Sequence, residues 1–180
     1  MPSPLIGFRD FRPGLPDVPI DFEPLTLGHF QVVAITTLIV GVCMLLHYEV
    51  FAWLSGKVPQ MHVQRRRQRV LALMFALLTL HIVEIWLFAA GYWLLLSIPG
   101  TGELVVQGAP GAHFGFLDYV YFSAVVSTTL GLGEIFPVGP IRFLVGTEAL
   151  VGFLLITWSA SFMFIEMGRF WSGQKPPHWG

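Results

Sequence analysis

Charge is the scarcest resource in this chain of 180 residues: only 12% are Asp, Glu, Lys or Arg, about half the share of an ordinary soluble domain. With 54% hydrophobic residues, that scarcity excludes a water-soluble globule. A single cysteine, Cys43, excludes an intrachain disulfide framework and any CxxC metal or redox pair. The net charge of -1 excludes an overall basic nucleic-acid binder. The segment from Met1 to Gly28 has no apolar h-region, so no cleaved signal peptide is expected. No Walker or Rossmann glycine pattern and no Ser/His/Asp or Cys/His set stands in the loops, so no enzyme activity is expected.

What the chain has is three long apolar blocks, about Phe30 to Leu54, Val70 to Ile98 and Phe143 to Ile165. Each is long enough to cross a hydrocarbon core about 30 Å thick at 1.5 Å per residue. The second is the longest and would reach roughly 43 Å as one helix, so it should tilt or project beyond the bilayer before Pro99-Gly100. The expected class is therefore an all-α membrane protein. Seven of the ten basic residues flank one side: Lys57, Arg65, Arg66, Arg67 and Arg69 between the first two blocks, Arg169 and Lys175 after the third. The positive-inside rule makes that side cytoplasmic and puts the N-terminus outside. The Arg run lies in a loop, where it is a topology signal; a voltage sensor needs its charges repeated along a membrane helix.

Between the second and third blocks, Tyr119 to Val126 is apolar but far too short to cross, which marks a buried or re-entrant segment. Asp118 is the expected N-cap of a short helix there. Thr129-Leu130-Gly131-Leu132-Gly133-Glu134 follows, a non-helical backbone tolerated at membrane depth only where it is buried in protein or lines a wet cavity.

In this motif the sequence resembles the pore-loop potassium-channel family, whose filter reads Thr-Val-Gly-Tyr-Gly-Asp. The likeness extends through Tyr121-Phe122-Ser123, Thr128, Pro137 and a following span carrying Glu148 and Gly152, about Asp118 to Phe164 in all. With His47-Tyr48-Glu49 and His81-Ile82-Val83-Glu84-Ile85-Trp86, the chain looks like a small bacterial channel with one extra helix before a two-helix pore. The resemblance implies three transmembrane helices, a re-entrant pore helix and a selectivity filter. It also implies a homotetramer in the lipid of a bacterial inner (plasma) membrane, and no nucleic-acid partner. Its organisation would be an outer arm (1–28), two outer helices (29–98) with a basic loop (55–69) and a flexible outer turret (99–116). Pore helix and filter (117–139), inner helix (140–167) and a short cytoplasmic tail (168–180) would follow, with no cytoplasmic ligand-binding domain.

The implied filter comprises Thr128, Thr129, Leu130, Gly131, Leu132, Gly133 and Glu134, with permeant K+ held by backbone carbonyls of Thr129, Leu130, Gly131 and Leu132 and no cofactor. Such rings of carbonyls replace an ion's hydration oxygens. Leu132 stands where tyrosine is commonest and Glu134 where aspartate is, which leaves a nonselective cation channel as a second possibility. On the inner helix, Gly152 is a hinge candidate or a close-packing site. Ile156, Ala160 and Phe164 recur on one face as gating candidates, Phe164 forming a hydrophobic gate or packing on the second span. His47, Glu49, His81, Glu84 and Glu148 are ionisable groups inside apolar blocks, where such groups are costly. Three readings stand for this set: neutral hydrogen-bonded packing, a proton sensor, or a divalent metal site. Glu148 would support the filter or pair with Arg142. A rival of another class is a membrane metal or haem redox protein with His47 and His81 as ligands.

Overall fold

The computed structural model describes residues 25–57, 66–109 and 111–171. The outer arm over residues 1–24, the basic loop over 58–65 and the tail over 172–180 lie outside the described residues. The element order is α1 (Leu27–Lys57), α2 (Arg66–Leu96), β1 (Glu103–Val106), α3 (Phe116–Ser127), β2 (Ile135–Val138) and α4 (Arg142–Trp171).

Stretches within α1, α2 and α4 are long and apolar enough to cross a membrane: Leu27–Gly56, Val70–Leu96 and Arg142–Gly168. This is an integral membrane protein. All three helices run 30 or 31 residues, so the second is not exceptional, and apart from the exposed Glu49 of α1 they have charge only near their ends or in buried polar clusters. Lipid-type side chains such as Leu38, Phe75 and Leu150 cover their outer faces, because a helix in hydrocarbon gains nothing by hiding them.

The interior divides into two levels. Near the glycine motif, Val32, Phe88, Tyr92, Leu95, Phe122, Ile141, Leu144 and Leu155 close on one another from α1, α2, α3 and α4. Toward the opposite ends, Phe51 and Leu54 of α1 pack on Leu73, Leu77 and Leu80 of α2, with Phe162 of α4 beside them. The short α3 is wedged between α2 and α4, and α1 lies against both long helices.

Two helix ends are fixed by one threonine. Thr101 is fully buried; its hydroxyl donates to the Ile98 carbonyl (2.9 Å), and its own carbonyl accepts from Ile141 N–H (2.8 Å) at the start of α4. Loose carbonyls at the end of α2 are thereby satisfied, as helix termini require. The stretch taken as a flexible turret is partly ordered by a ladder: β1 pairs antiparallel with β2, Glu103 opposite Val138 and Val106 opposite Ile135, and Gln107 N–H reaches the Glu134 carbonyl at 2.8 Å. A four-residue strand is too short to show a two-residue period in sequence. Pro137, which cannot donate to a ladder, is tolerated because this sheet has only two strands, both edges.

Candidate functional site

The helix α3 begins three residues earlier than the sequence indicates. Gly115 is its N-cap and Asp118 is the third helical residue. The Asp118 carboxylate accepts from Gly115 N–H at 2.7 Å while Asp118 N–H donates to the Gly115 carbonyl at 3.1 Å. An acid at this position satisfies the N–H of the N-cap residue instead of those of the first turn.

At its far end α3 unwinds directly into the glycine motif. Thr128 is the C-cap, its hydroxyl donating to the Ala124 carbonyl at 2.7 Å. The N–H groups of Thr129 and Leu130 reach the carbonyls of Val126 (2.9 Å) and Val125 (3.0 Å). The motif is thus anchored at its base before it extends. Along it, φ is positive at Thr129 (57°), Gly131 (54°) and Gly133 (80°), with Leu130 and Leu132 between them in the ordinary negative range. Thr129 is the one non-glycine residue with positive φ among the described residues. Left-handed backbone is costly for a residue with a Cβ, so glycine at 131 and 133 is what lets the alternation continue. Alternating handedness turns successive carbonyls toward one side of the strand instead of opposite sides.

From Thr128 to Glu134 every residue is exposed in the single chain, Leu130 at 62% and Leu132 at 56%. The outer end is tied back, since the Tyr121 hydroxyl donates to the Glu134 carboxylate. Tyr121 of α3 therefore supplies a tether on the same stretch where Leu132 has no hydroxyl.

Behind the motif lies a buried polar centre. Glu148 of α4 is fully buried and accepts from the hydroxyls of Tyr92 on α2 and Ser123 on α3. Ser123 also reaches the Ile85 carbonyl at 2.9 Å. One carboxylate thus bonds three helices at the level of α3. The sequence-based pairing of Glu148 with Arg142 is not what forms: Arg142 is exposed at the start of α4. Gly152, one turn further along α4, meets the end of α3 so closely that a Cβ there would lie 2.2 Å from the Ser127 carbonyl oxygen and 2.8 Å from its carbon. That contact favours the close-packing account of this glycine. Ile156, Ala160 and Phe164 continue down one exposed face of α4, Phe164 at 79%. Phe164 does not pack on α2 within the chain; the neighbouring Phe162 faces inward, its ring 4.6 Å from that of Phe51.

The five intramembrane ionisable residues are not one group. Glu148 belongs to the centre just described, and Glu49 lies on the exposed side of α1, because two residues beyond His47 is more than half a helical turn. The remaining three converge. His47 Nδ1 is 2.7 Å from Glu84 Oε1, and His81 Nδ1 is 3.0 Å from Glu84 Oε2. Ser159 of α4 completes the set, its Oγ 3.0 Å from His81 Nε2 and 3.4 Å from His47 Nε2. Ser159 had no signal in the sequence, being one of several hydroxyls on an apolar helix. Tyr92 was equally silent as the partner of Glu148.

The architecture is that of a channel subunit: a re-entrant helix and glycine loop carried between two membrane helices. Comparison with known proteins agrees, for the family described as ion channel matches residues 70–169, more than half of the sequence. The chain belongs to this family of pore-loop channels. It is also 32% identical over 91 residues to the inward rectifier potassium channel Kirbac3.1 of Paramagnetospirillum magnetotacticum; the match covers 50% of this chain and 28% of that protein. No solved structure matches the chain.

Proposed function

We propose that the chain assembles as a homotetramer and conducts K+ passively and selectively, through a filter built from four copies of Thr129-Leu130-Gly131-Leu132-Gly133. The observation that carries this reading is the alternation of φ at Thr129, Gly131 and Gly133 in an exposed, non-helical stretch between two helices long enough to cross a membrane. Such a backbone, non-helical and facing outward, is stable in hydrocarbon only if other protein surrounds it or it lines a wet path. Four copies around an axis meet both conditions. Their carbonyls form successive rings in which an ion exchanges water for protein oxygens, with Thr129 innermost. The C-terminal end of α3, carrying the negative pole of its dipole, is directed toward the axis below and favours a cation there.

The exposed face of α4 with Ile156, Ala160 and Phe164 then lines the path toward the basic, cytoplasmic side, and Phe164 narrows it as an apolar ring. Positive-inside orientation places the filter mouth, Glu134 and the β1–β2 ladder outside. The relative named as a potassium channel supports K+ as the permeant ion. Family membership speaks for a channel and against an enzyme, and a redox role for His47 and His81 would leave the glycine motif without a purpose.

The test is ion flux into liposomes holding purified protein, under K+ or Na+ gradients, for wild type and Gly131→Ala. Flux that follows K+, with a particle mass of four chains, supports the reading. Monomeric protein with no flux in either gradient sinks it.

A further inference from the structure

We propose that His47, His81 and Glu84 form a binding site for one divalent transition-metal ion of the Zn2+ class within the membrane, with Ser159 as its outer partner. The donor set comes from two helices: His47 from α1, and His81 with Glu84 at i, i+3 on one face of α2. One ligand atom from each of the three residues lies within 4.8 Å of the others. Four-coordinate zinc at about 2.0 to 2.1 Å from nitrogen and oxygen needs ligand atoms about 3.3 Å apart. The imidazole-to-carboxylate separations, 2.7 Å to one Glu84 oxygen and 3.0 Å to the other, lie below that value and the widest separation in the set is bounded at 4.8 Å, so both rings and the carboxylate must turn to close on an ion.

Hydrogen-bond accounting leaves room for a cation there, a second proton on one ring or a metal ion. With both imidazoles neutral and each Nδ1–H donating to Glu84, both Nε2 atoms are acceptors facing the single hydroxyl of Ser159. That hydroxyl has one proton and serves one of them. Four contacts close the ring from Glu84 through His81, Ser159 and His47, and three protons fill them. A metal ion removes the mismatch. It takes the two Nδ1 lone pairs and the carboxylate, moving each ring's proton to Nε2, and both Nε2–H groups then donate to the two lone pairs of Ser159 Oγ. A ligating histidine whose other nitrogen is held by an oxygen is the usual outer-shell arrangement.

The surroundings suit a cation. Glu84 is buried, and the residues that pair with its carboxylate among those described are the two histidines. Arg67 and Arg142 are exposed at the starts of α2 and α4. Rings of Phe51 and Trp158 stand 4.4 and 5.2 Å from that of His47 and exclude water on that side. On the other side a cavity of about 50 Å³, lined by His81, Glu84, Ser127, Thr128 and Gly152, runs to the C-terminal end of α3. That end carries partial negative charge, and the cavity is a route from the motif side to the ligands. An ion at this place binds α1 to α2 and, through Ser159, holds α4 one residue before Ala160. Control of conduction by the ion rests on the channel reading above; binding does not.

The experiment is Co2+ titration of the full chain in detergent after chelator treatment, read by visible d–d absorption and competed with Zn2+. One Co2+ per chain, displaced by Zn2+, is expected. His81→Gln and Glu84→Gln should weaken it about 100-fold or more, and Ser159→Ala about tenfold, as loss of an outer partner does. If the ligand variants do not fold, the Ser159→Ala shift decides. No absorption band in the wild type, or unchanged affinity in folded His81→Gln or in Ser159→Ala, overturns the site. Co2+ binding in monomeric protein that conducts no ion, metal-free or loaded, upholds the site and refutes the channel reading. Conduction that responds to pH and ignores Zn2+, without a Co2+ band, overturns the site and leaves the channel.

Discussion

Replacing Gly152 by alanine tests the packing that positions the glycine motif. The added Cβ would stand 2.2 Å from the Ser127 carbonyl oxygen and 2.8 Å from two more backbone atoms, and ordinary contact begins at 3.4 Å. No flexible side chain can give way, so α4 and the end of α3 must part by about 1 Å. Overpacking of this kind costs about 3 kcal/mol at the upper end of its range, and the better helix propensity of alanine returns about 1 kcal/mol. The net loss of about 2 kcal/mol lowers the midpoint of thermal unfolding by roughly 4 to 8 °C for a chain of this size. Flux should fall as well, because Thr128 and Thr129 follow Ser127 directly in the chain, so a shift of Ser127 moves the base of the motif. Gly41→Ala on α1 is the control, since nothing lies within 4 Å of its Cβ position, and it should be neutral or stabilising. Fluorescence-detected size exclusion after heating, with flux in parallel, reads both variants. A Gly152→Ala protein as stable and as conductive as Gly41→Ala would refute the argument.

Three further outcomes follow from the same geometry. Glu148→Ala strands the buried Tyr92 hydroxyl and should cost about 1 to 3 kcal/mol in thermal stability, whereas Glu148→Gln, which keeps an acceptor, should cost less. Tyr121→Phe removes the tether on Glu134 and should shorten the conducting state in low external K+, measured as faster decay of flux, with the oligomer unchanged. Co2+ bound at His47, His81 and Glu84 should be released on acidification, read as loss of the visible band, because protons compete with the metal for the ligand atoms.

Much of the molecule was legible because membrane crossing is a local property. About 20 apolar residues are required and either present or absent, and the glycine motif is a local demand for positive φ. What the sequence hid is tertiary. His47, His81 and Glu84 could be placed at similar depths by counting turns, but which helix faces meet depends on crossing geometry. Ser159 and Tyr92 entered for that reason, and Glu49 left. Gly152 admitted two accounts until its distance from Ser127 was known. The Asp118 cap was displaced by three residues because an acid stabilises a helix N-terminus at either position. The short β1–β2 ladder lies below the length at which periodicity speaks.

The central claim is that alternating backbone handedness from Thr129 to Gly133 makes a K+ filter. It is tested most directly by the reversal potential of purified protein in a planar bilayer, with K+ on one side and Na+ on the other. The account predicts a potential displaced far toward that of K+ in the wild type and loss of K+ current in Gly131→Ala, where a Cβ must adopt φ near +54°. A reversal potential near zero, or a Gly131→Ala current equal to the wild type, would contradict it.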